Sequence, residues 1–244
     1  MAQPKAERPA FYALAPGSWR DWVTLLHPPY TAWHLSYVAL GAAAAPTLHA
    51  DRLAAALGAF FLGVGICAHA LDELNGRPLG TRIPDSALMV LSVVSLAGAI
   101  ALGIVGVATV GPSLVPFIVA GTVLVVAYNL ELFGARFHTD FWFAAAWGAF
   151  PALTAYWANA VTLEPPGVLV TAACFALSVA QRRLSTPVRT LRRRTAAVAG
   201  TQTLADGSTV QLPRESLVAP LDGALRALSA GLVLLAVGVV VVRL

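Results

Sequence analysis

Charge is scarce in this chain: only 11% of its 244 residues are Asp, Glu, Lys or Arg, against 58% that are apolar. Soluble domains carry about 25% charged residues, so an ordinary water-soluble globule is excluded, and disordered or fibrous classes go with it. Cysteine is nearly missing too. Cys67 and Cys174 each sit in an apolar stretch, which leaves neither a disulfide framework nor a paired-cysteine metal site. Lysine occurs once, as Lys5, and the other cationic residues are arginines. The formal charge of +4 resides between long apolar runs, where membrane topology and anionic headgroups account for it, so nucleic acid is not an expected partner. Residues 1–27 lack an apolar segment followed by a cleavage site, and no secretory signal is expected there. No catalytic triad, phosphate-binding glycine loop, dinucleotide fingerprint or tandem repeat is present.

What the chain does have is hydrocarbon, roughly 140 apolar residues, enough for about seven helical spans of ~20 residues. Reading apolar runs against charged, Pro or Gly breaks places them at 31–48, 53–74, 86–110, 113–134, 141–161, 167–184 and 221–242. The expected fold class is an all-α, polytopic membrane bundle. With Met1 inside, the 16 Lys and Arg residues all fall on the inner side except Arg52, Arg243 and the intrahelical Arg226. The positive-inside rule therefore puts the N-terminus in the cytoplasm of a cell whose inner membrane the chain spans.

Four stretches follow: an N-terminal cytoplasmic segment (1–30), a six-span core (31–184), a basic cytoplasmic loop (185–220) and a seventh span (221–244). Ser18 to Leu26 reads as an interfacial helix that Ser18 would cap, with Trp19 and Trp22 as anchors. The basic loop opens with Arg189 to Arg194, most simply a topology or headgroup signal. It continues as TQTLADGSTVQL, in which Asp206-Gly207 between alternating segments predicts a β-hairpin with a two-residue turn.

Ionisable groups within or at the end of a membrane helix are costly and so informative. They gather at the inner end of the second span: His69, Asp72 and Glu73 share a helical face, and Asn75, Arg77 and Arg82 follow in a turning segment. Two carboxylates beside arginines suit a metal-bridged diphosphate, with Mg²⁺ on the acids and guanidinium forks on the phosphates. They equally suit an ion-pair cap in which Arg77 and Arg82 hold Asp72 and Glu73. Elsewhere, Glu131 either faces the same site or pairs with Arg136, His138 and Asp140 open the fifth span, where Asp140 reads best as a cap, and Asp222 with Arg226 at i, i+4 reads as a self-neutralising pair. Tyr30, Trp33, His34, Tyr37, Phe141, Trp142, Trp147, Tyr156 and Trp157 suit either an aromatic tunnel wall or ordinary helix packing.

The order of His27-Pro28-Pro29 before the first span, acids ending the second, Arg77-Pro78-Leu79 after it, Tyr128-Asn129 ending the fourth and Gly148-Ala-Phe-Pro151 in the fifth resembles the UbiA-type intramembrane prenyltransferase superfamily, over Trp19 to Leu184. That resemblance implies a helical bundle around a cavity open to lipid, in which metal-bound acidic motifs hold an isoprenoid diphosphate and the prenyl group passes to an acceptor. It implies Asp72 and Glu73 as catalytic, these two with His69 as ligands of Mg²⁺, and Arg77, Arg82, Asn129, Arg182 and Arg183 as substrate-binding. The chain departs from the family pattern in its first motif, His69-Ala-Leu-Asp72-Glu73, and at the second, where Gln181-Arg182-Arg183 stands without an acid. These arginines would either hold a diphosphate without metal or anchor the helix to lipid. A non-catalytic scaffold or lipid-binding subunit is the alternative expectation, with a membrane-protein partner or a second copy completing the bundle.

Overall fold

A computed structural model describes residues 8–244; Lys5 lies outside the described residues. The chain is mostly helical with one small two-stranded sheet. In order come α1 (Trp19–Leu25), α2 (Pro28–Ala43), α3 (Ala50–Leu74), α4 (Asp85–Val110), α5 (Pro112–Asn129), α6 (140–160), α7 (Pro165–Arg193), the strands β1 (Thr201–Thr203) and β2 (Thr209–Gln211), and α8 (Arg214–Arg243).

Five of these, α3, α4, α5, α7 and α8, are long and apolar enough to cross a membrane. Their outward faces carry exposed Val90, Val94, Ile104 and Val105 on α4 and Leu234, Leu235, Val241 and Val242 on α8. In water such belts would drive association; against lipid tails they are simply solvated. Expected spans 31–48 and 141–161 are not among the five. α2 has 16 residues, about 24 Å of rise, and both α2 and α6 lie inside the bundle. There they pack on other helices and tolerate His34, Ser36 and Asn159, which lowers their hydropathy.

The core forms around α2, which packs chiefly against α6 and α8 and also touches α3 and α7. Trp33 and Tyr37 are fully buried with Ala152, Cys174 and Leu232, and Trp33 Nε1 and Ser178 Oγ both donate to the Tyr37 hydroxyl. Lipid supplies no hydrophobic drive between helices, so close approach and dispersion hold them together. The closest approach is at Gly41, where a Cβ would lie 2.1 Å from the Ala152 carbonyl oxygen. Gly148 similarly lets α6 meet α7, a Cβ there standing 2.7 Å from the Cys174 carbonyl.

Several boundaries differ from the sequence reading, each for a local reason. α5 stops at Asn129 rather than 134 because Glu131, Phe133, Gly134 and Ala135 all take positive φ and make a tight turn. α7 runs past 184 to Arg193, through Pro187, and α8 begins at Arg214 and passes through Pro220. Gln181, Ser185 and Val188 are buried along one side of α7, so its charged end continues as an amphipathic helix instead of becoming a loop. The hairpin forms with Thr203 opposite Thr209, but its turn is wider than two residues. The Leu204 carbonyl accepts from Gly207 N–H, Gly207 takes φ +82°, and Leu204 N–H donates to the Ser208 carbonyl, a type I turn closed by a glycine bulge. The Ser18 hydroxyl accepts no capping hydrogen bond from α1; Asp21 Oδ1 accepts from Gly17 N–H at 2.9 Å instead. Trp19 and Trp22 are 62% and 43% exposed, as interfacial anchors would be.

Replacing Gly41 with Ala forces a methyl into the α2–α6 contact and is expected to cost about 1–3 kcal/mol, seen as a lowered unfolding midpoint in mild detergent. Gly231→Ala on exposed α8, where a Cβ meets nothing within 4 Å, is expected to leave the midpoint unchanged or slightly raised.

Candidate functional site

Two stretches of the bundle wind more loosely than an α-helix: Phe61–Ala68 in α3 and Ala145–Ala149 in α6, both π-helical. Such turns leave carbonyls in unusual positions and favour functional sites. Here ring nitrogens take them. His69 Nδ1 donates to the Gly65 carbonyl at 3.0 Å, and His34 Nδ1 to the Trp147 carbonyl at 2.8 Å. His138 Nδ1 donates to the Tyr128 carbonyl at 3.1 Å, just past the end of α5. A carbonyl only accepts, so each imidazole carries a proton on Nδ1, and in its neutral form the lone pair is on Nε2.

These rings border a polar chamber of about 120 Å³ at the basic end of the bundle. α3 gives it His69 and Asp72, α5 gives Asn129, α7 gives Gln181, Arg182, Arg189 and Arg193, and α8 gives Asp222. The segment 9–12 forms a strap along one wall, with Tyr12 packed against His27 and Tyr30 at ring separations of 5.2 and 5.4 Å. That strap is held by Arg192 and Arg193, which donate to the Arg8 and Pro9 carbonyls, and by Arg226 over the Phe11 ring at 4.9 Å. His27 stacks on His69 at 4.1 Å. Burial, then the neighbouring His69, holds the His27 imidazole well below its ordinary value, so it is neutral at pH 7. Burial likewise pushes the Tyr12 phenol up.

The expected site residues divide sharply. Asp72, His69, Asn129 and Arg182 all line the chamber. Glu73 does not: it is fully buried on the other side of α3, where its carboxylate accepts from Leu79 N–H (3.0 Å), Thr81 N–H (2.8 Å) and the Thr81 hydroxyl (2.9 Å). One helical step of 100° separates the two acids and sends one to the chamber, the other to the α3–α4 loop. Arg77 braces that loop, donating to the Thr81 and Ile83 carbonyls and pairing with Asp85. Arg82 and Arg183 have exposed side chains away from the chamber, and Arg82 contributes its backbone N–H to Asp21. Asn75 donates to the Asn129 carbonyl and so ties α3 to α5.

Other pairings are corrected too. Asp222 pairs with Arg192 at 2.6 Å rather than Arg226, because α7 continues alongside α8 and presents Arg192 to it. Glu131 lies 3.8 Å from His138 and forms no pair with Arg136. Asp140 does not cap α6; Thr139 does, and Asp140 pairs with Arg182 at 2.7 Å. Sequence reasoning missed Arg189, Arg193, Gln181 and the strap. The signal for the first two was present: Arg182, Arg189 and Arg193 fall at i, i+7 and i+11, within about 40° of one another on a helix, but only if that helix runs beyond 184.

The donor set does not fit the magnesium ion that the family resemblance implies. Of the two acids, Asp72 alone reaches the chamber, His69 has one ring nitrogen already bonded, and no group of three His, Cys, Asp or Glu converges among the described residues. Arg182, Arg189 and Arg193 line the same chamber, so a dication would enter a field already positive.

A second cavity, of about 260 Å³, adjoins the first. It is almost wholly apolar and runs between α3, α4, α5 and α6 from Arg52 to Val64, about 18 Å of helix axis. Val64 and Trp147 belong to both cavities. No protein family, no curated protein and no solved structure matches this chain.

Glu73 and Asp72 should separate by experiment. Glu73→Ala strands two buried backbone N–H groups and is expected to cost about 3–5 kcal/mol, whereas Asp72→Asn, which breaks no protein hydrogen bond, is expected to leave the detergent unfolding midpoint near wild type. For His27 the folded value is depressed, so its contribution is fully present above the ordinary value of 6.5 and is lost as pH falls below it toward the folded value. The unfolding midpoint is therefore expected to drop as pH falls below 6.5, and less steeply in His27→Phe.

Proposed function

We propose that this chain is an integral membrane protein of UbiA-like kind that binds an isoprenoid diphosphate and acts on it by prenyl transfer. The diphosphate would occupy the polar chamber and the isoprenoid chain the apolar cleft. One observation carries the reading: a basic chamber and a hydrocarbon-lined cleft share a wall at Val64 and Trp147, which is the shape of an amphiphile with an anionic head. In this reading the chain crosses the inner membrane seven times. α2 and α6 are crossings shielded from lipid by the other five, and the chamber faces the cytoplasm.

The chemistry would be electrostatic. Guanidinium groups in a site poor in water stabilise the negative charge that builds on a leaving diphosphate. The faces of Trp147, Tyr128 and Phe143, which line the chamber beside the shared wall, would stabilise an allylic cation. Asp72 and the Nε2 lone pairs of His69 and His34 would accept a proton from an acceptor nucleophile.

The position of Glu73 favours a second reading. A fold whose second acid is wholly spent on its own loop lacks the paired carboxylates that the family's chemistry uses. A lipid-binding or scaffold subunit that holds the same amphiphile without turning it over would look the same.

Binding measured on the detergent-purified full chain tests the amphiphile. Farnesyl diphosphate is expected to bind at least about tenfold more tightly than inorganic pyrophosphate, because the cleft packs its chain. Ile100→Trp, which fills the cleft, is expected to remove that advantage without weakening pyrophosphate. Equal affinity for the two ligands in the wild type sinks the reading, and release of pyrophosphate with an acceptor lipid present separates enzyme from binding subunit.

A further inference from the structure

Three guanidinium groups line the chamber, on one face of α7, and each spends a single side-chain hydrogen bond on the protein. Arg182 Nε donates to Asp140, Arg189 to the Thr186 hydroxyl and Arg193 Nε to the Pro9 carbonyl. A guanidinium has five N–H donors, so most of this donor capacity is left for whatever fills the chamber.

The charges do not cancel. Asp140 neutralises Arg182, and Arg192 neutralises Asp222. Arg189 and Arg193 have no carboxylate within 4.0 Å among the described residues, and Asp72 is the one remaining acid in the lining. Gln181, 2% exposed in the same wall, keeps an unbonded carboxamide oxygen. A chamber built this way has excess positive charge, unspent planar donors and an unsatisfied amide. Those features favour an anion with several oxygens, and guanidinium forks match phosphate oxygens in pairs.

We infer that the chamber is a metal-independent receptor for a phosphate headgroup, with Arg182, Arg189 and Arg193 doing the work that acid-bound Mg²⁺ does elsewhere in such bundles. The inference deepens the reading of the chamber as a headgroup site and rests on it, but it does not depend on the chain being isoprenoid. Arg189 and Arg193 supply the uncompensated charge. Arg182, oriented by Asp140 and lying over the Phe143 ring at 5.2 Å, supplies a fixed fork. Asp72, the one remaining acid in the lining, meets the ligand with no metal between them.

The test is binding to the full chain in detergent, with chelator and with excess Mg²⁺, using inorganic pyrophosphate, farnesyl diphosphate and phosphatidic acid in mixed micelles. Pyrophosphate and farnesyl diphosphate are expected to bind with affinities within about twofold in the two conditions. Arg189→Gln and Arg193→Gln are each expected to weaken binding about tenfold or more, Arg189→Lys to restore part of it, and Arg183→Gln, whose side chain is exposed away from the chamber, to change nothing. Because Arg193 also holds the strap, Arg189 is the decisive position, and its variants are compared at equal unfolding midpoint. Farnesyl diphosphate that binds only with Mg²⁺ overturns the inference and leaves the isoprenoid reading standing. Pyrophosphate that binds under chelation with no gain from the prenyl chain does the reverse. Competition by phosphatidic acid as strong as that by farnesyl diphosphate supports the inference and makes a membrane lipid the source of the phosphate. Unchanged affinity in Arg189→Gln overturns it outright.

Discussion

A charge enclosed in a bundle of apolar helices has to be met by an opposite charge or by hydrogen bonds, because neither lipid nor satisfied backbone can solvate it. Most of the basic end of this molecule follows from that constraint. Glu73 is met by the backbone of the α3–α4 loop, Asp222 by Arg192, and Arg182 by Asp140. Each of these contacts also fixes a piece of architecture: the loop after α3, the pairing of α7 with α8, and the pairing of α7 with α6. The chamber is what remains when those demands are satisfied, and its surplus is cationic.

The helices can arrange themselves around it because their approach is set by missing side chains and loosened turns rather than by large apolar interfaces. Gly41 and Gly148 bring α6 against α2 and α7 at backbone contact. The π-helical stretches in α3 and α6 shift the side chains beyond them and free carbonyls for His69 and His34. The same two stretches carry Val64 and Trp147, the residues common to the chamber and the apolar cleft. The local winding defects thus lie where a polar compartment has to adjoin a hydrophobic one.

The strap and the α7–α8 extension add a basic-end layer that a plain bundle lacks. Arg192 and Arg193 bind strap carbonyls, and Phe11 lies under Arg226. Strap residues that line the chamber are therefore held by the same helix that charges it.

Hydropathy was enough to read a mostly helical chain, the rough positions of the five helices long and apolar enough to cross a membrane, and a hairpin around Asp206-Gly207, because these depend on composition over a window and on local turn chemistry. Polar residues in apolar runs likewise drew attention to Asp72, His69, Asn129 and Arg182. The division of Asp72 from Glu73 was not legible, since one step of helical rotation decides it and the α3–α4 loop fixes the rotation. Nor were Arg189 and Arg193, because charge at the end of a span looks the same whether the chain leaves the membrane as a loop or continues as a helix. The amino-acid sequence by itself determined which segments seek lipid and which side chains are ionisable. Only the tertiary structure decided which of those ionisable groups meet, because their partners lie on helices far apart in the chain and burial makes each pairing exclusive.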